Sequence, residues 1–156
     1  FKFYENQVHC LEGNTDYLDT LLREYYGGML ETGATTLYEE YNPSLSGAEH
    51  FAMYGRPYEK SLCHAWSASP VYFMGAFRMG VMNTGIAYDT YEVRPDLGTM
   101  ESIEGKVPVP GGYIYVKADH KGVEVRSDIP GGTLVLGEKR YMIFPKQKCY
   151  QEWDKL

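Results

Sequence analysis

The chain has 156 residues, 44% hydrophobic and 23% charged, with a net charge of −6. This composition is that of a soluble globular protein of one domain or two small ones. It excludes a polycationic nucleic-acid binder, which needs a clustered basic face. No apolar run approaches the ~18 residues of a membrane-spanning helix. Tyrosine is abundant, 15 residues beside six Phe and two Trp. Such rings serve a core, a protein interface or a sugar cleft. Cys10, Cys63 and Cys149 are odd in number and far apart, so they make neither a disulfide framework nor a zinc knuckle. Cys10 and Cys63 fall in apolar helical patterns and are expected to be buried. The start at Phe1, without Met, reads as a cut, which leaves location open; a periplasmic or secreted setting is one fit.

Phe1, Tyr4, Val8 and Leu11 recur at spacings of three and four, one face of a helix that Gly13 stops. Asn14 or Thr15 caps a second helix, with Asp16 and Asp19 near its positive end. Leu18, Leu21, Leu22 and Tyr25 form its buried stripe, and Gly27-Gly28 is expected to end it. Together these make an αα-hairpin. Residues 33–41 then place Glu39 and Glu40 among hydroxyls and rings where helix gives way to loop. Residues 42–60, with Pro43, Gly47, Gly55 and Pro57, read as a long surface loop carrying a solvated His50. Ser61 opens another helical pattern through Leu62, Cys63, Trp66, Val71, Phe73, Met74, Phe77 and Val81. Pro70 kinks or breaks it, with Ser69 as a cap for the second segment. His64 and Trp66 lie in its first turns; packing alone would make both buried core residues.

From residue 88 the period changes to two. Tyr91–Arg94, Gly112–Ala118, Val123–Arg126, Thr133–Leu136 and Tyr141–Phe144 read as strands, with Pro108, Pro110-Gly111-Gly112 and Pro130-Gly131-Gly132 as turns. Cys149 to Leu156 reads as a terminal strand or tail. Helices followed by strands give an α+β chain ending in a small antiparallel β-sandwich, with the division expected at residues 84 and 85. No GxGxxG, P-loop, zinc spacing or Gly-x-Ser-x-Gly elbow is present, and no cofactor or metal is expected.

Tyr26-Gly27-Gly28-Met29-Leu30, Gly33-Ala34-Thr35-Thr36-Leu37-Tyr38-Glu39 and Ser61-Leu62-Cys63-His64-Ala65-Trp66, taken in order, resemble the α-L-rhamnosidases of glycoside hydrolase family seventy-eight. Arg94-Pro95-Asp96-Leu97 and Gly105 to Val116 extend the resemblance, which covers most of residues 1–136. It implies that residues 1–84 are the last helical hairpins of an (α/α)6 barrel and residues 85–156 its C-terminal sandwich. It implies inverting release of terminal α-L-rhamnose, with Glu39 of the Thr-Thr-x-aromatic-Glu motif as general base. His64, Tyr38, Trp66 and Thr36 are implied as sugar-contacting residues. Tyr38 stands where family members usually carry Trp; a phenol can still flank a sugar and can also donate a hydrogen bond.

Inversion needs a carboxylate that activates water and a carboxylic acid about 6.5–9.5 Å away on the other face of the sugar. Glu39 and Glu40 are sequence neighbours whose side chains diverge, so the acid is expected outside this chain. The expected partners are a rhamnose-containing carbohydrate and the rest of the barrel, or a second copy through exposed helices. Neither nucleic acid nor membrane is expected. Two other readings stay open. One is a carbohydrate-binding or interaction module using the Tyr-rich sandwich. The other is an (α/α)6 glycosidase for a different sugar.

Overall fold

The computed structural model describes residues 2–153. Phe1 of the first helical stripe and residues 154–156 of the terminal segment lie outside the described residues. The chain is α+β and divides into two compact units, Phe1–Tyr72 and Phe73–Leu156. No helix among the described residues is long and apolar enough to cross a membrane.

In the first unit, α1 is Lys2–Leu11. Gly13, at φ 80°, turns the chain after it. The expected stripe is not its buried face: Tyr4, Val8 and Leu11 are exposed, whereas Asn6 and Cys10 are buried. The next helix, α2, is one continuous run built from Asp16–Thr20, a π-wound Leu21–Tyr26 and Gly27–Glu31. Thr15 holds its N-cap position without a side-chain cap bond. The π winding explains a shift in the buried stripe. An α-helix would carry burial from Leu21 to Tyr25; the wider turn carries it to Tyr26 and then Met29.

Gly27-Gly28 therefore does not end α2, contrary to the sequence expectation. The stop is Gly33, at φ 87°. Its N–H bonds to Leu30 O at 2.9 Å and that of Ala34 to Met29 O at 3.1 Å, the double closure of a Schellman end. Gly28 is small for a packing reason instead: a Cβ there would lie 2.5 Å from the Tyr41 ring. Leu21, Tyr26, Met29, Ala34 and Tyr38 form the core of this unit.

Residues 42–60 are less open than a solvated loop. A 3-10 turn, Gly47–Phe51, starts at Ser46, whose N–H bonds to the Glu49 carboxylate at 3.1 Å. His50 is 7% exposed, not solvated, and stacks on Tyr41 with centroids 5.5 Å apart. The expected helix from Ser61 is also absent. Residues 61–64 are non-helical, bend at Leu62 and Cys63 and hydrogen-bond to 37–39, and only Ala65–Ser67 forms a 3-10 turn. The backbone groups of Ser61 and His64 bond to Glu39 and Leu37, so they are not available to a helix. Cys63 is accordingly exposed, against expectation, while Cys10 is buried.

Helix α3 is Pro70–Phe73 continued by the π-wound Met74–Arg78, with Pro70 at its first position. Val71, expected inside, is exposed, and Phe73 is fully buried. Val81, expected as the end of this helical stripe, belongs instead to strand β1.

The second unit holds β1 (Val81–Asn83), β2 (Tyr91–Val93), β3 (Ser102–Val109), β4 (Gly112–Asp119), β5 (Gly122–Ser127), β6 (Gly132–Leu136), β7 (Lys139–Ile143) and β8 (Lys148–Glu152). They form two four-stranded sheets, ordered β1-β2-β6-β7 and β3-β4-β5-β8. Val93, Leu134 and Ile143 of the first and Ile114, Val116 and Val125 of the second belong to one core cluster, the arrangement of a sandwich. The β2–β6 pair is parallel, a departure from the expected all-antiparallel order. The chain leaves β2, builds β3 to β5 in the other sheet, and returns beside β2 in the same direction. Pro108 lies within β3 rather than in a turn, which is tolerated because β3 is an edge strand.

Candidate active site

The segment after α2 is fixed by hydrogen bonds to residues distant in sequence. Glu39 N–H donates to Ser61 O at 2.8 Å and His64 N–H to Leu37 O at 2.9 Å, which ties the two segments together. The Thr36 hydroxyl donates to Leu62 O, and Ser67 Oγ donates to Glu39 O at 3.4 Å. This pairing brings the Glu39 carboxylate and the His64 imidazole together, with Oε2 3.7 Å from Nδ1. The Glu39 side chain is only 11% exposed.

Beside them, Glu39, Glu40, Trp66, Ser67, Tyr25 and Tyr26 border a groove of about 250 Å³, closed on other sides by Lys2, Phe3, Tyr4 and Met53. Trp66 is 58% exposed, so it is not a core residue. Its ring lies 4.4 Å from that of His64. His64 itself is not among the groove's lining residues; it stands behind Trp66 and Glu39. Tyr38 is placed elsewhere. It is 3% exposed, belongs to the core, and meets Phe51 edge to face. Leu37 packs against the same cluster, whereas Glu39 borders the groove. Thr36 is exposed, with its hydroxyl already committed to Leu62.

Electrostatically the groove joins carboxylates to phenols that stay protonated. Burial pushes the Tyr25 phenol up, and the negative charge of Glu40 adds to that, against the Tyr41 N–H that bonds its oxygen at 3.0 Å. Burial likewise pushes up Tyr26, whose hydroxyl meets Ser69 Oγ at 2.7 Å. Lys2 stands 6.0 Å from the Tyr25 ring centroid. Among the described residues no group of three or more His, Cys, Asp or Glu is placed to hold a metal ion.

One contact has no counterpart in the sequence reading. Tyr54 OH donates to Glu39 Oε1 at 3.4 Å, on the opposite oxygen from His64. Tyr54 and Gly55 form a two-residue hairpin turn between Met53 and Arg56, both at positive φ, 53° and 76°. A tyrosine in that conformation costs about 1 kcal/mol or more. Gly55 flanked by Tyr54 was the available signal, but a turn in a loop does not say what its side chain will reach.

No family model and no curated relative match the sequence. Among solved structures, the chain is similar to a GH78 family rhamnosidase of Bacillus sp. GL1, with TM-score 0.71 and 27% identity over 88% of this chain. The match spans 15% of that enzyme's length. A putative kojibiose phosphorylase from the human microbiome matches with TM-score 0.42 and 15% identity, over 55% of this chain and 11% of that one, too distant to carry an argument. The resemblance read in the motifs of residues 26–116 therefore holds in three dimensions: this chain is similar over most of its length to a portion of a GH78 family rhamnosidase.

Proposed function

We propose that this chain is the C-terminal part of an inverting glycoside hydrolase that releases terminal α-L-rhamnose. In this reading Glu39 is the general base, and the general acid lies outside the chain. The carrying observation is the Glu39 carboxylate: largely shielded, held between His64 and Tyr54, and bordering a groove beside the exposed Trp66. Such a carboxylate can take a proton from water on one face of a sugar. Trp66 offers an apolar face to the ring. His64 packs beside both Trp66 and Glu39 and acts on the sugar through them. Thr36 and Tyr38 act from behind, Thr36 by tying its segment to Leu62 and Tyr38 by anchoring that segment in the core.

On this reading α1 and α2 of the first unit are the last hairpin of an (α/α)6 barrel, while Val81–Asn83, inside the expected span 1–84, is strand β1 of the sandwich. The exposed Tyr4, Val8 and Leu11 of α1 are the face that meets the remaining hairpins or, in isolation, a second copy. The similarity to a rhamnosidase supports the sugar class. Convergence of carboxylates and rings in the helical unit favours a catalytic cleft over a purely lectin-like module.

The test is rhamnose binding and rhamnoside hydrolysis. The isolated chain is expected to bind rhamnose weakly and to hydrolyse nothing, because the acid is missing. Measurable turnover by the isolated chain contradicts the proposal. So does rhamnose binding that shifts no signal from Trp66.

A further inference from the structure

The outward face of the β3-β4-β5-β8 sheet has an order that the core does not require. The strand register sets Lys106, Tyr115, Arg126 and Lys148 directly side by side, one residue from each strand. With strands ~4.8 Å apart, the row runs ~14 Å across the sheet, longer than a single sugar ring. A parallel row sets Glu104, Lys117, Glu124 and Tyr150. Arg126 and Lys148 are like charges directly opposite each other, an arrangement that by itself destabilises a sheet. They share one carboxylate, Glu124, at 2.6 Å each.

Each exposed ring on this face has a cation beside it. Lys106 lies 6.0 Å from the Tyr113 centroid, Arg126 5.8 Å from Tyr115, and Lys148 5.4 Å from Tyr150. At one end the face forms a groove of about 270 Å³ bordered by Lys106, Tyr113, Tyr115, Arg126, Asp128 and Lys146. Asp128 is occupied by the Tyr113 N–H at 2.9 Å, and Glu104 by Lys117 and the Tyr115 hydroxyl. Among the described residues, Lys106 and Lys146 have no ion-pair partner. Lys146 is also held at φ 58°, in the left-handed region, by its N–H on Ser127 O at 2.7 Å. Cations thus outnumber carboxylates here in a chain whose net charge is −6.

We propose that this sheet face is a binding site for an acidic oligosaccharide, a chain of sugars bearing carboxylates. The rings take the apolar faces of successive sugars, and Lys106, Arg126 and Lys146 take the carboxylates. A bare phosphate polyanion would use the cations but leave the rings idle. The site is built in the second unit alone and does not depend on Glu39.

The test uses the whole chain, titrated by NMR and calorimetry with a galacturonate tetrasaccharide, a neutral maltotetraose and a DNA duplex. The galacturonate is expected to bind and to shift Tyr113, Tyr115 and Arg126, while maltotetraose does not. The double variant Lys106→Gln/Lys146→Gln, at exposed positions without ion pairs, is expected to keep the melting temperature. It should weaken binding about tenfold or more, equivalent to about 1.4 kcal/mol or more. Tyr113→Ala is expected to weaken the galacturonate by a similar factor. Three results overturn the proposal: no galacturonate binding, shifts confined to other residues, or a DNA duplex bound as well as the galacturonate with no effect of Tyr113→Ala. Because Glu39→Gln leaves this binding untouched, its outcome is separate from that of the rhamnosidase reading.

Discussion

His64 Nδ1 and Glu39 Oε2 lie 3.7 Å apart because two backbone hydrogen bonds, Glu39 to Ser61 and His64 to Leu37, fix the register of their segments. The separation exceeds a direct hydrogen bond, so the imidazole borders the carboxylate without bonding to it. Tyr54 contacts the other oxygen at 3.4 Å, a length common for such contacts before a ligand closes the site. The carboxylate is thus flanked on both sides.

That arrangement predicts a trade-off at Tyr54. Tyr54→Gly relieves the left-handed backbone and is expected to raise stability by about 0.5–1 kcal/mol. It also removes the donor to Glu39. In the full-length enzyme, turnover is expected to fall several-fold with KM nearly unchanged. Tyr54→Phe should give the same kinetic loss without the gain in stability. Thermal melts and steady-state kinetics on both variants separate the two effects.

Gly28→Ala tests the packing of Tyr41 on α2. In an ordinary helix this change gains up to about 1 kcal/mol. Here the added Cβ would lie 2.5 Å from the Tyr41 ring, which is itself stacked on His50. Overpacking of that kind costs about 1–3 kcal/mol. The net expectation is a lower melting temperature, with Tyr41 displaced from His50. An unchanged or higher melting temperature would show that Tyr41 moves freely.

Asp96 serves a fully buried arginine. Its carboxylate accepts from Arg78 Nη1 at 2.8 Å, and its backbone N–H donates to Arg78 O. Gly98, at φ 52°, lets the chain pass the guanidinium where a Cβ would lie 2.5 Å away. Asp96→Ala leaves that buried cation short of its carboxylate, at a cost of about 2–4 kcal/mol given the half-exposed partner. Asp96→Asn, which keeps an acceptor, should cost less. Denaturant titration of both variants checks the order.

Glu92 gives a pH dependence of known sign. Hydrogen bonds from Arg140 and Arg94 hold its carboxyl below the usual carboxylate range. A folded value below the unfolded one stabilises the fold above the unfolded value of 4.5. That contribution is lost as pH falls through the folded value. Glu92→Gln should therefore cost up to about 1 kcal/mol near neutrality and nothing once both states are protonated. Equal differences between variant and wild type at both ends of the range would refute the linkage.

Sequence periodicity captured the strands well because sheet alternation survives in any context: β4, β5, β6 and β7 fall where alternation and Pro-Gly turns set them. It missed β3, whose Pro108 suggests a turn unless its edge position is known. The helices were less legible. Gly27-Gly28 signals a helix end, but Gly28 is small because the Tyr41 ring lies against it, a contact between residues 13 apart that the local pattern does not show. The π windings at Leu21–Tyr26 and Met74–Arg78 shift burial by one residue, a change no 3.6-residue template anticipates. At the candidate site, Glu39, His64 and Trp66 were singled out in the sequence and are close together in the fold. Their meeting depends on 61–64 pairing its backbone with 37–39, whereas periodicity suggests a helix there. Tyr38 is expected as a sugar contact and lies in the core, packed with Leu21, Tyr26 and Met29, a burial that motif spacing does not reveal.

The central claim is that Glu39 is the base of a rhamnosidase whose acid lies elsewhere, and it is tested most directly by Glu39→Gln in the full-length enzyme. The account predicts that kcat on an aryl α-L-rhamnoside falls by about 10²–10⁴, with KM nearly unchanged and fold intact. Turnover within a few-fold of wild type would contradict it.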